Sequence, residues 1–279
     1  MSTSLAAQLA AQGLFAKKSL GQHFLLDPSI NRRIARLAGP LEGQTVLEIG
    51  PGPGGLTRAL LDAGAAKVLA IERDSRFAAF LDDLAGQSAG RLVVIEADAL
   101  EVDEAALLAE RGLSRAIICA NLPYNIGTAL LIKWLKASSL WRGPMCLMFQ
   151  KEVAQRICAN PGSDAYGRLA VLAQSVCHAR LEMSLPAGAF TPPPKVASAV
   201  VRLDPLAAPF DDLAALEAVT GAAFGQRRKM LRQALKPLGG SEDLLGMAEI
   251  AGDARAETIP IEGFWALARA WRARNSAQM

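Results

Sequence analysis

The sequence predicts an α/β fold: a doubly wound, mostly parallel sheet with an antiparallel edge, followed by a small all-α domain. Three observations carry this. Short apolar runs alternate with amphipathic stretches from about Leu41 to Leu203. Those runs are nearly continuous in Val, Ile and Leu, as strands buried on both faces require. Beyond Leu203 strand patterns cease and helical periodicity remains.

The elements follow in order. Thr45–Ile49 reads as a strand, and a helix opens over Leu56–Leu61. Val68–Ile71 and Leu92–Ile95 are the next strands, separated by a helical stretch from Phe77 to Leu84. Ala116–Ala120 is the fourth strand, Thr128–Lys136 the helix after it, and Cys146–Phe149 the fifth strand. Two later strands, His178–Leu185 and Val196–Leu203, are joined by a Pro-rich segment with no crossover helix, which implies antiparallel pairing. Asp204–Asp211 holds two prolines and reads as a linker. Helices are expected over 213–224, 227–236, 242–251 and 261–272. The boundary is placed between residues 207 and 208, giving domains 1–207 and 208–279.

Composition narrows the function. The chain has 279 residues, half of them apolar, with a formal net charge of only +3, so affinity for a polyanion must come from local clusters. Four dispersed cysteines without a C-x-x-C read as free thiols of a reducing compartment. With two histidines, a His/Cys metal site or a His-based triad is not expected. No apolar run is long enough to span a membrane. The apolar N-terminal stretch precedes Lys17 and Lys18, the wrong order for a secretory signal, and it lacks the Arg of a transit peptide. A cytoplasmic, monomeric, metal-free protein is the expectation.

The tetrad Asn121-Leu122-Pro123-Tyr124 closes the fourth strand. Ligands of open α/β sheets bind beyond the carboxyl ends of strands. Asn121 Oδ1 and the Leu122 carbonyl can accept hydrogen bonds from an exocyclic amine, Pro123 fixes the turn, and Tyr124 offers a stacking face. Asn-x-Pro is also ordinary turn chemistry, and the tetrad alone allows either reading.

The first strand ends in Glu48-Ile49-Gly50-Pro51-Gly52-Pro53-Gly54-Gly55. Gly50, Gly52 and Gly55 satisfy G-x-G-x-x-G, so a dinucleotide site is one reading. Pyrophosphate needs backbone N–H groups at the helix start, however, and Pro51 and Pro53 have none. S-adenosylmethionine, which lacks phosphates, fits better. Glu72 follows the second strand, where a carboxylate can bind ribose hydroxyls, and Asp98 follows the third, where it can accept from the adenine amine. Singly, either acid is more often a cap or loop residue. With the Gly loop and Asn121 they mark four successive strand ends.

These residues carry a resemblance. The chain resembles the ribosomal RNA adenine N6,N6-dimethyltransferases, most closely the bacterial enzymes acting on small-subunit (16S) rRNA. The matching stretches span nearly the whole sequence: Gly21–Leu25, Glu48–Gly52, Ile71-Glu72, Asp98-Ala99, Asn121–Tyr124, Gln150–Val153, Tyr166–Leu169, Phe190–Val196 and Phe224–Lys229. The resemblance implies a Rossmann-like S-adenosylmethionine-dependent methyltransferase sheet in 1–207 and an RNA- or ribosome-binding helical domain in 208–279. It implies that Gln22, His23, Leu25, Gly50, Gly52, Glu72, Asp98 and Asn121 hold the cofactor. His23 stands where the bacterial enzymes often carry Asn. Asn121, Leu122, Pro123 and Tyr124 would hold the target adenine, with Phe190 on its second face.

The implied reaction transfers two methyl groups to N6 of each of two adjacent adenosines near the 3′ end of 16S rRNA, within the 30S subunit. Arg227, Arg228, Lys229, Arg232 and Lys236 would bind RNA, their spacing placing several on one face of the expected helix. From Pro205 onward nine Lys/Arg balance nine Asp/Glu, so charge is concentrated only there. Lys17, Lys18, Arg32, Arg33 and Arg36 form a second basic cluster. Competing readings are a large-subunit dimethyltransferase conferring macrolide resistance and a mainly non-catalytic checkpoint in small-subunit assembly. A nicotinamide dehydrogenase is disfavoured by Pro51 and Pro53.

Overall fold

A computed structural model of the chain describes residues 4–17, 20–138 and 140–276. Lys18, counted above in the N-terminal basic cluster, lies outside them. The chain divides into two compact units. The first runs to Ala154 and resumes over Arg180–Asp204; the second comprises Gln155–Ala179 and the chain from Pro205 onward. The change at Asp204/Pro205 falls three residues before the expected boundary. Gln155–Ala179, assigned by sequence to the first domain, groups with the second unit instead. The cause is packing: Tyr166, Ala170 and Val171 are buried in one cluster with Leu216, Val219, Phe264 and Leu267. The Tyr166 hydroxyl also donates to the Ile259 carbonyl at 2.9 Å.

Seven strands form one sheet: β1 (Thr45–Ile49), β2 (Lys67–Glu72), β3 (Leu92–Glu96), β4 (Ala116–Asn121), β5 (Arg142–Gln150), β6 (Cys177–Leu185) and β7 (Ser198–Pro205). Their spatial order is β3-β2-β1-β4-β5-β7-β6. The pairs from β3 through β5 are parallel, and β7 runs antiparallel to β5. β1, β2 and β4 are buried over nearly their whole length, matching their unbroken apolar sequence. The order reverses beside β1, the topological switch point where such sheets bind ligands.

β5 is longer than its apolar core suggested, because Arg142-Gly143-Pro144 continues the strand. The register with β4 shifts between Ala116 and Ile118. A Cβ at Gly143 would lie 2.7 Å from the Ala116 carbonyl oxygen, so only glycine fits this close approach. The stretch from Phe77 to Leu84 is two short helices, Ser75–Phe80 and Asp82–Gln87, meeting at Leu81.

The second unit departs from the sequence reading at one important place. The expected helix over 227–236 is absent. The helix Leu213–Gly225 ends at Gln226, which has φ −130° and ψ 54°, and Lys229 N–H closes a turn onto the Gln226 carbonyl. Met230 is extended and bridges Arg255. Leu231 N–H then donates to Ala254 (2.8 Å) and Arg232 N–H to Gly252 (3.0 Å). Tertiary pairing thus takes the backbone donors a helix would have used. Only Leu231–Ala234 is α-helical.

Candidate functional site

One cavity of the first unit lies beyond the carboxyl ends of β1, β2, β3 and β4. It is lined by Gln22, His23, Leu25, Gly50, Gly52, Glu72, Asp98 and the whole tetrad Asn121–Tyr124, among others. Every residue expected to hold the cofactor therefore lines the same cavity. The parallel register explains the convergence: Ile49 pairs with Ile71 and Glu72 with Glu96, so successive strand ends align.

The Gly loop is built for close approach. Gly52 has φ +50°, and a Cβ there would lie 3.0 Å from the Phe24 ring. At Gly55 a Cβ would lie 2.8 Å from the Leu25 carbonyl oxygen. The third glycine thus serves packing of helix Gly55–Asp62 against the N-terminal segment.

Glu72 is buried and held on both oxygens. Gly52 N–H donates to Oε2 at 3.0 Å and Asp74 N–H to Oε1 at 2.8 Å. Burial raises its pKa, while these two backbone donors oppose the rise. A carboxylate oxygen retains a further lone pair, so each can still accept a hydroxyl. Gln22 is fixed beside it: Nε2 donates to Asp74 Oδ2 (3.2 Å) and Oε1 accepts from Lys17 N–H (2.8 Å). The Arg76 guanidinium holds the Asp74 carboxyl down at about 2.

Asp98 accepts from Leu100 N–H through Oδ1 (3.0 Å) and pairs with Arg73 through Oδ2 (3.0 Å). Asn121 Nδ2 donates to the His23 carbonyl at 3.1 Å, which identifies the amide nitrogen and leaves Oδ1 as the acceptor. His23 Nδ1 lies 2.8 Å from the Pro192 carbonyl oxygen. A carbonyl only accepts, so Nδ1 carries the proton and a neutral ring has Nε2 as its acceptor. The His23 ring stacks against Tyr124 with centroids 5.4 Å apart, too close to admit a third ring. The Tyr124 hydroxyl is hydrogen-bonded to Ser198 Oγ. Burial raises its pKa, opposed by that serine, so the phenol stays neutral.

Two expectations need correction. Phe190 does not reach this cavity; it is 3% exposed and packs in the apolar cluster with Leu25, Met183 and Leu185. The reason is backbone anchoring, since Thr191 and Phe24 exchange both N–H···O bonds at 2.9 Å. Arg227, Arg228, Lys229, Arg232 and Lys236 do not lie on one helix, because residues 226–230 are a turn and a bridge and only Leu231–Ala234 is α-helical. Arg227 is engaged by Glu257 at 2.8 Å. Arg228, Lys229, Arg232 and Lys236 are exposed. Arg32, Arg33 and Arg36 are also exposed, on the outer face of helix Pro28–Leu37.

The sequence reading missed Glu48 as a site residue. It lines the cavity, is 2% exposed, and its Oε2 has no hydrogen-bond partner. Burial pushes its pKa up to about 8; nearby Thr57 opposes the shift and the Glu72 charge adds to it. A charged residue inside an otherwise apolar strand was the available signal. Among the described residues, no group of three or more His, Cys, Asp or Glu could hold a metal ion, and no helix is long and apolar enough to cross a membrane. Cys119 and Cys146 are buried free thiols.

A seven-stranded sheet with one antiparallel strand, a glycine loop after β1 and acids at the ends of β2 and β3 is the S-adenosylmethionine-dependent methyltransferase fold. Two solved structures share it across the chain. The dimethyladenosine transferase of Plasmodium falciparum has a TM-score of 0.76 at 25% identity, covering 91% of this chain and 98% of that one. The 23S rRNA methyltransferase ErmE has a TM-score of 0.69 at 25% identity, covering 89% and 99%. The family described as ribosomal RNA adenine dimethylase matches residues 13–271, and the chain belongs to it. Curated relatives are closer in sequence. The ribosomal RNA small subunit methyltransferase A of Caulobacter vibrioides is 60% identical over 91% of this chain and 97% of its own length. That of Maricaulis maris is 55% identical over 96% and 95%.

Proposed function

We propose that this enzyme dimethylates N6 of two adjacent adenosines near the 3′ end of 16S rRNA in the small ribosomal subunit, using S-adenosylmethionine. One observation carries the reading. Asn121, with its amide oxygen left as an acceptor, lines the same cavity as Gly52, Glu72 and Asp98. The side chains present suit the cofactor: Glu72 for the ribose, Asp98 for the adenine amine, and the unpartnered Glu48 oxygen as a further hydrogen-bond acceptor. Prolines at 51 and 53 match a ligand without phosphates.

The bound cofactor supplies an electrophilic methyl group. The chain's task is to present N6 to it. Asn121 Oδ1 and the Leu122 carbonyl accept from the N6 hydrogens, favouring the geometry and charge of the attacking amine. The alkylated nitrogen is acidic enough to lose its proton afterwards, so no strong base is needed. The rest is in-line positioning. The target base leaves its stack and lies on the face of Tyr124 that His23 does not cover. RNA phosphates are met by Arg228, Lys229, Arg232 and Lys236, which position the substrate without reading its sequence.

The 53–60% identity to relatives named for the small subunit, against 25% to the 23S enzyme, supports 16S over 23S rRNA. An intact tetrad supports catalysis over a purely assembly role. The test is to incubate the protein with labelled S-adenosylmethionine and unmethylated small subunits, large subunits or naked rRNA, then map the modified bases. Label confined to the large subunit would sink the assignment.

A further inference from the structure

The cavity wall that carries Asp98 is held from behind by a charge cluster that the reaction above does not use. Lys133 lies on helix Gly127–Lys136 and reaches back to the segment after β3. Its Nζ donates to the Ala99 carbonyl (2.9 Å), to the Val102 carbonyl, and to Glu104 Oε1 (2.8 Å). An ammonium group has three protons, and all three are engaged. Glu104 is only 4% exposed, and the same oxygen accepts from the indole N–H of fully buried Trp134 at 2.8 Å.

The loop so held is the one that presents Asp98. Ala99, whose carbonyl Lys133 grips, is the next residue and itself lines the cavity. Within the loop, Leu100 N–H and Glu101 N–H both fold back onto Asp98, at 3.0 and 2.9 Å. The helix is anchored at its other end to the tetrad, since Gly127 N–H donates to the Pro123 carbonyl at 2.9 Å. One rigid helix therefore connects the Asp98 loop with the corner expected to hold the target base.

We propose that Lys133 is a positioning residue for adenine recognition, fixing the Asp98–Ala99 backbone so that the Asp98 carboxylate meets the exocyclic amine of the bound cofactor. Glu104 orients the lysine in turn. This rests on the reading of Asp98 as the adenine acceptor. A helix tie that served only stability would affect all ligands alike; a positioning role affects the amine-bearing ligand selectively.

The experiment is equilibrium binding by calorimetry of S-adenosylhomocysteine and of S-inosylhomocysteine, whose ring carries a carbonyl in place of the amine. Wild type should prefer the adenosyl ligand by about tenfold or more, the range of a hydrogen bond to a charged acceptor. Lys133→Met should lose most of that preference by weakening the adenosyl ligand alone. Glu104→Gln keeps an acceptor for both Lys133 and Trp134 and should retain most of it. Should Lys133→Met not fold, Lys133→Gln replaces it with the same expected direction. Full preference in the folded lysine variant, or equal weakening of both ligands, overturns the proposal. Asp98→Ala separates the two ideas. Preference lost there but kept in Lys133→Met refutes the role of Lys133 alone. Preference kept there but lost in Lys133→Met refutes the role of Asp98 and leaves recognition to the Ala99 backbone. No preference in wild type refutes both.

Discussion

The wall of strand ends in the first unit and the basic turn after Gly225 in the second were equally visible as motifs, yet only the first kept its expected geometry. Glu72, Asp98 and Asn121 follow strands whose hydrogen bonds are set by parallel register, so their positions were implied once the strands were recognised. Arg227, Arg228 and Lys229 follow a stretch with helical periodicity. The backbone just beyond them, Met230–Arg232, is instead committed to residues 252–255, which lie far away in sequence. Periodicity predicts well where an element satisfies its own backbone groups or those of a regular neighbour. It fails where a distant, irregular segment supplies the partners.

That contrast can be broken or sharpened by substitution. The largest effect is expected at the rigid wall. Asn121→Ala should lower turnover by about a hundred- to a thousandfold, the scale of losing a preorganised group that stabilises developing charge. RNA affinity, measured by filter binding, should hardly change. Turnover within threefold of wild type would remove Asn121 from the reacting centre.

In the basic turn the three charges are not equivalent. Reversal of Arg228 and Lys229 should weaken RNA binding and reduce the slope of log K against log salt by about one to two. Arg227→Ala should leave that slope nearly intact, because its guanidinium is already paired with Glu257. Equal slopes for all three variants would show that the helix-face picture had been right in effect.

The smallest effect is expected at Glu48, on the wall but missed by sequence. Its pKa is raised from 4.5 to about 8 in the folded protein. Between those values the native carboxyl retains a proton that the unfolded chain has released, so its contribution to stability declines as pH rises through that window. Glu48→Gln removes the dependence. On moving from pH 6 to pH 8, the variant should gain a few degrees in Tm relative to wild type. A parallel pH profile for both proteins would show that Glu48 is ionised in the native state.

Much of the site was legible because chemistry was written at strand ends. Gly52 sat in a glycine run closing the first strand, Glu72 and Asp98 stood just after apolar runs, and Asn121 opened an Asn-Leu-Pro-Tyr tetrad. Phe190 shows the limit. The resemblance implied a base-stacking ring, but the side chain lies in the core beside the Thr191–Phe24 bridge. Tyr166 shows another: it reads as part of the first domain, yet its buried hydroxyl is tied to Ile259, 93 residues away.

The sequence by itself determined the strand–helix alternation, the glycine loop and which acids end which strands, because these depend on local periodicity and steric demands. Tertiary structure alone decided that Lys133 grips the Asp98 loop, that Arg227 is paired, that Glu48 is left with an unpartnered oxygen and that Phe190 is core. Each of those depends on which distant group satisfies a charge or a backbone donor, and spacing along the chain does not encode that choice.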